Sequence, residues 1–345
     1  MPTALLIRKS WIVFVYAAAI SIESIIIEFL TTSYIQISPI LLSSTSITLA
    51  GILLLLAAAF IFRKRIRIIA HFGESWRFLI PASLSLAIGI FTWYDSINRI
   101  GASKESLIAG PLEIVVIVLL ARLFLRERLH KTHIVGISLA LIGFILALLS
   151  DADFSTNGSV RFVRSTAMSA LGPIGFGDAE AMISALGFAI GVLFLSKLVS
   201  RYSSIEVAGA SMFLSGIFLC TILLFGILIY DSTSVALISS PTDSSQIHLP
   251  LTYTIVILFL FSLIPFVGSL SYSTGLSRIG ASLTATIGSS SILITVILQL
   301  MIRQLGIVTH LPVNIILAIL GGVVGFCGIY IIHMPKYSVP ITNRN

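Results

Sequence analysis

Two glutamates, Glu23 and Glu113, lie deep inside long apolar stretches of this 345-residue chain. A carboxylate at the centre of a bilayer costs at least ~2.5–3.5 kcal/mol on insertion scales, so such an acid should face a cavity, meet a partner or hold a proton. Tyr16 precedes Glu23 by seven residues and shares its helical face. Glu113 sits midway along the fourth apolar stretch, one helical step from Gly110-Pro111. Either acid can load and release a proton, which makes proton-coupled exchange an expectation. The plain alternative for both is a structural hydrogen bond to a neighbouring helix.

Aromatic and hydroxyl residues stand at places where they can line a path. Trp93 and Tyr94 end the third stretch, with Asp95 and Asn98 beside them on one face near the outer surface. Tyr272 follows Trp93 by 179 residues, and Pro265, Ser269 and Tyr272 share one face of the eighth stretch. An interfacial aromatic belt is the competing reading, and it suits Trp11 and Trp76 well. Gly110-Pro111 in the fourth stretch is matched in the ninth by Gly288-Ser289-Ser290-Ser291, with Ser290 the site candidate. Both should weaken a helix near mid-membrane and free polar groups for a ligand. Pro265 with Gly268 should kink the eighth helix. Glu28 is expected to be solvated, and Lys104 and Glu105 to cap or snorkel.

Enzymatic chemistry has little to stand on. The chain has no H-E-x-x-H, G-x-S-x-G or Walker loop. Asp151 and Asp153 form an isolated acidic pair, and the two cysteines, Cys220 and Cys327, read as packing thiols. No cofactor and no metal is implied.

The elements that must position these residues follow from composition. The chain is 57% hydrophobic and 10% charged, far below the roughly 25% charge of soluble domains. Its apolar residues form ten blocks, near 11–31, 38–62, 76–98, 104–125, 131–150, 178–199, 205–230, 250–276, 282–302 and 312–333. About 20 residues cross a bilayer as helix, so an all-α integral membrane protein with ten transmembrane helices is expected. With the N-terminus inside, 16 of the 21 Lys and Arg residues fall in inner segments and 5 in outer ones. That bias puts both termini in the cytoplasm. It also explains the net charge of +7 without nucleic acid.

Arg99-Ile100-Gly101-Ala102-Ser103 recurs as Arg278-Ile279-Gly280-Ala281-Ser282, each copy after the third block of a five-block half. Five is odd, so two such halves must run in opposite directions, an arrangement frequent in secondary transporters. The expected organisation is a first five-helix repeat over 1–150, an outer linker over 151–177, a second repeat over 178–335 and a cytoplasmic tail over 336–345. Gly143 has a counterpart in Gly325. The small-residue faces Gly187/Gly191 and Gly321/Gly325/Gly328 suit helix packing within the chain or in a homodimer.

Over 93–149 the chain resembles the EamA repeat of the drug/metabolite transporter superfamily. Tyr94, Ala102, Ser103, Pro111, Glu127, Arg128, Gly136 and Gly143 stand at the positions of that pattern. The resemblance implies a secondary carrier in the plasma membrane, often an exporter of amino acids or other small metabolites. Such a carrier works by alternating access around a cavity between helices 1–4 and 6–9, with helices 5 and 10 peripheral. The chain departs from the pattern at Glu23, where Trp-Gly is common, and at Ser43–Ser46, where an Arg is usual. Gln304, Leu305 and Gly306 replace the second Glu-Arg step. A lipid-handling flippase on the same fold is the rival reading.

Overall fold

The computed structural model describes residues 3–32, 37–61, 68, 73–125, 131–154, 160–162, 175–229, 251–307 and 309–332. Most of them are helical. In hydrocarbon no water satisfies backbone N–H and C=O groups, so an apolar chain closes them within itself as helix. The first half holds α1 (Thr3–Thr32), α2 (Pro39–Leu56), α3 (Trp76–Ile100), α4 (Ala102–Leu125) and α5 (Lys131–Leu148). The second holds α6 (Phe176–Val199), α7 (Ser204–Ile229), α8 (Leu251–Ile279), α9 (Ala281–Gly288), α10 (Ser290–Gln304) and α11 (Ile315–Ile332). A short antiparallel hairpin, Ala152–Phe154 against Val160–Phe162, lies in the expected linker. Residues 231–249, the tail 336–345, and Glu127 and Arg128 lie outside the described residues.

Among the described residues, seven spans are long and apolar enough to cross a membrane: within α1, α2 (with the π-helical turn Ala57–Ile61), α3, α6, α7, α8 and the α9–α10 pair. The remaining three of the ten apolar blocks are also helical: α4, and α5 and α11, which are apolar but shorter. Polar residues are buried beside an apolar core, and many large apolar side chains face outward. Ser43, Ser44, Ser46, Ser83, Ser96 and Ser215 are buried, while Phe60, Leu123, Leu228 and Ile316 are exposed. Such an apolar exterior fits a lipid solvent.

Helices pair across the halves. α3 packs along α6 as α1 packs along α8; α2 pairs with α7, and α5 with α11. Exchanging the halves leaves this set of pairs unchanged. The repeated pentapeptide also takes one conformation twice. Gly101 and Gly280 have φ of 85° and 86° and join α3 to α4 and α8 to α9. Only glycine takes that backbone without strain. At Gly101 space is short as well, because a Cβ would strike the His310 backbone.

The small-residue faces are used inside the chain. Gly143 of α5 meets Gly321 and Gly325 of α11, and Gly187 of α6 meets Gly89 of α3. Such faces let backbones approach where apolar side chains gain nothing by leaving lipid.

The two expected helix breaks differ. α4 runs unbroken through Gly110 and Pro111. The ninth block does break, between Gly288 and Ser290. There the Ser289 hydroxyl donates to the Thr286 carbonyl at 2.6 Å and the Ser290 hydroxyl to the Ile287 carbonyl at 2.7 Å. Serine side chains thus bond carbonyls beside the interrupted ladder. α8 stays one helix with Pro265 inside it.

Candidate functional site

A cavity with two adjoining lobes lies among the helices. Their volumes are about 80 Å³ and 90 Å³ in this conformation, below the ~300–1,000 Å³ typical of small-molecule sites. Tyr16, Ile20, Trp93, Glu113, Phe188 and Tyr272 line both lobes. The first lobe adds Glu105 and runs along α9–α10, with Gly288, Ser289, Ser291 and Thr295 in its wall. The second adds Glu23, Pro265 and Ser269, and reaches α2 at Ile47 and α7 at Ser211 and Met212. Among the described residues, none of α5 or α11 lines either lobe.

Glu113 stands where the lobes meet, brought there by α4 beside Pro111. It makes no hydrogen bond to any described residue, so its carboxyl group faces cavity space. Glu23 is held instead. It is buried, and the Tyr94 hydroxyl donates to its Oε1 at 2.8 Å. The Ser46 hydroxyl lies 3.3 Å from the same phenol oxygen, which ties α2 to α1 through α3.

The aromatic residues form the walls. Tyr16 and Tyr272 are 4.7 Å apart, ring centre to ring centre. Trp93 stands edge-on to Tyr94 and to Phe188 at 5.3 and 5.9 Å. Gly288 makes room for Tyr16, since a Cβ there would come within 2.9 Å of the Tyr16 Cε1.

Three site candidates from the sequence line neither lobe: Tyr94, which holds Glu23, and Asp95 and Ser290. Asp95 bonds Arg99 at 2.9 Å, and Arg99 reaches Glu180 at 3.1 Å, in a charge network at the α3–α4 end. Ser290 spends its hydroxyl on the Ile287 carbonyl, while Ser289 and Ser291 line the cavity.

Three expectations are overturned. Glu28 is not solvated: it is 2% exposed. Its carboxylate accepts from the Ala102 N–H at 3.0 Å, from the Gln299 amide at 2.7 Å and from the His310 N–H. Glu105 is no simple cap; it accepts from the Trp93 indole N–H at 3.1 Å and lines the first lobe. Lys104 does not snorkel, being 3% exposed and paired with Asp178 at 2.6 Å. The insertion-cost argument that singled out Glu23 applies equally to Glu28, and to Gln299 in its apolar run. Nearness to a helix end hid the first.

These groups join α1, α3, α4, α6, α10 and the segment before α11 into one polar plug. Gln299 is its hub: its amide oxygen accepts from the Ser103 N–H at 2.8 Å, and its amide nitrogen also donates to the His310 carbonyl at 3.1 Å.

No curated protein matches the chain. A solved structure, titled only as the crystal structure of a protein, is similar in fold. Its TM-score is 0.59 at 16% identity, over 93% of this chain and 99% of that one. Residues 9–149 match the model of the EamA-like transporter family. Over that stretch this multi-helix membrane protein is similar to the EamA-like transporter family.

Proposed function

We propose that the chain is a secondary carrier that moves a small polar organic metabolite of the amino-acid kind across the plasma membrane, working outward by alternating access. The observation that carries this reading is Glu113, an acid without a hydrogen-bond partner among the described residues at the junction of two aromatic-walled lobes. A buried ionisable group on the interior of a helix bundle is a functional site by default. The helix break at Gly288–Ser290 opens the backbone at the same cavity, as in carriers built from repeats.

The unchanged pairing of helices on exchange of halves, with the twin glycine turns, supports two inverted five-helix repeats and ten crossings. With an even number of crossings both termini are cytoplasmic, as the loop charges favour. Alternating access would then be a swap of which half closes over the cavity. Opening at the end where the hydrogen bonds around Gln299 lie would have to break them.

Glu113 and Glu23 are the proton sites of this carrier. A proton gradient of either sign should change the flux of the transported solute in proteoliposomes, and indifference to the gradient would remove the coupling. The rival is lipid translocation. Dithionite quenching of a fluorescent phospholipid in the same vesicles separates the two. Solute flux with unchanged lipid asymmetry supports the carrier; lipid movement without solute flux contradicts it.

A further inference from the structure

The charge-bearing side chains of the cavity wall are all acids. Glu23, Glu105 and Glu113 line the two lobes, and among the described lining residues there is no Lys, Arg or His. Neighbouring cations are engaged elsewhere: Lys104 with Asp178, Arg99 with Asp95 and Glu180. A zwitterionic amino acid would place its carboxylate among these acids with no cation to meet it. In a site of low dielectric that like-charge approach is costly.

The rest of the wall suits a cation. Trp93, Tyr16, Tyr272 and Phe188 present four rings around the Glu113 junction, and ring faces attract ammonium groups within about 6 Å. Three polar atoms are also buried there without a hydrogen-bond partner: the hydroxyls of Ser184, Thr295 and Tyr272. Ser184 and Thr295 are 0% and 1% exposed, and both line the first lobe. Buried polar atoms are nearly always bonded, and these three belong to residues that line the first lobe. Hydroxyl oxygens can accept from an ammonium N–H.

We infer that the cavity selects organic cations: amine metabolites without a free carboxylate, the ammonium held by Glu113 and Glu105 and the apolar body by Trp93, Tyr16 and Tyr272. This rests on the carrier reading and names its substrate class. It narrows the amino-acid kind to the decarboxylated amine. A reaction that removes the carboxyl group of an amino acid is the class that would supply such a substrate.

The test uses the purified full chain and a matched pair, phenethylamine and phenylalanine, which differ by the carboxylate alone. Calorimetric titration in detergent gives binding. Release from proteoliposomes, with protein-free vesicles as the leak control, gives transport. The amine should bind about tenfold tighter or more, the scale of one hydrogen bond to a charged group. Glu113→Gln should abolish that preference, and Glu105→Gln should weaken it. If either variant fails to elute as folded protein, the other carries the same readout. Phenylalanine binding as tightly as the amine overturns cation selection and leaves the carrier standing. Amine binding without release of either solute keeps cation selection and overturns the carrier. Binding of neither compound overturns the selection of this class.

Discussion

The Tyr94 hydroxyl donates to Glu23 Oε1 at 2.8 Å, so the acid that marks the first helix is gripped by a residue of the third. Glu113, by contrast, faces the junction of the lobes without such a bond. Glu23 is thereby bonded between helices, while Glu113 is left open to the cavity. Tyr94→Phe removes the donor and leaves Glu23 buried. The cost should be about 1–3 kcal/mol, the penalty for an unsatisfied buried group. A lower thermal unfolding midpoint in detergent checks it, and a midpoint equal to wild type contradicts it.

Glu28 joins α1 to the start of α4, to α10 and to the segment before α11. Glu28→Ala should cost about 3 kcal/mol or more, as removal of a group from a buried charged network does. Glu28→Gln keeps an oxygen acceptor and should cost less. Thermal melts of the two variants, side by side with wild type, give the order.

Gly143 shows where backbone approach sets stability. A Cβ there would come within 2.6 Å of the Gly325 Cα. Gly143→Val should therefore part α5 from α11 and cost about 1–3 kcal/mol, the range of overpacked cores. Gly226 is the control, with nothing within 4 Å of its would-be Cβ. Gly226→Ala should melt like wild type.

Gly288→Ala acts on the cavity rather than on the scaffold. Its Cβ meets the Tyr16 ring at 2.9 Å. The ring must swing, narrowing the junction beside Glu113. Transport should fall severalfold while the unfolding midpoint shifts by less than for Gly143→Val. Equal loss of both would place Gly288 in the scaffold instead.

Much of this arrangement was legible along the chain. Ten apolar blocks mark the helices, since twenty apolar residues in lipid have few other ways to satisfy their backbone. The Arg-Ile-Gly-Ala-Ser repeat marks the two glycine turns, because positive φ demands glycine at one fixed place in each half. Glu23, Tyr16, Trp93, Ser269 and Tyr272 line the cavity because helical spacing fixes which residues share a face. The polar plug was not legible. Lys104 meets Asp178 and Gln299 meets Glu28 across separations that only tertiary packing decides. Nor does local sequence tell a proline that breaks a helix from one that a helix absorbs. Pro111 is absorbed, while the helix breaks at Ser289, where the Ser289 and Ser290 hydroxyls bond carbonyls three residues back as those of Ser43 and Ser44 do in unbroken α2.

In the carrier proposed above, Glu113 serves the transported solute. Proteoliposomes loaded with a metabolite mixture, followed by mass spectrometry of what leaves, test it most directly. The account predicts selective release of a few solutes by the wild-type chain and loss of that release in Glu113→Gln, with the variant folded. Release that persists unchanged in Glu113→Gln, or folded wild-type protein that releases nothing, would contradict it.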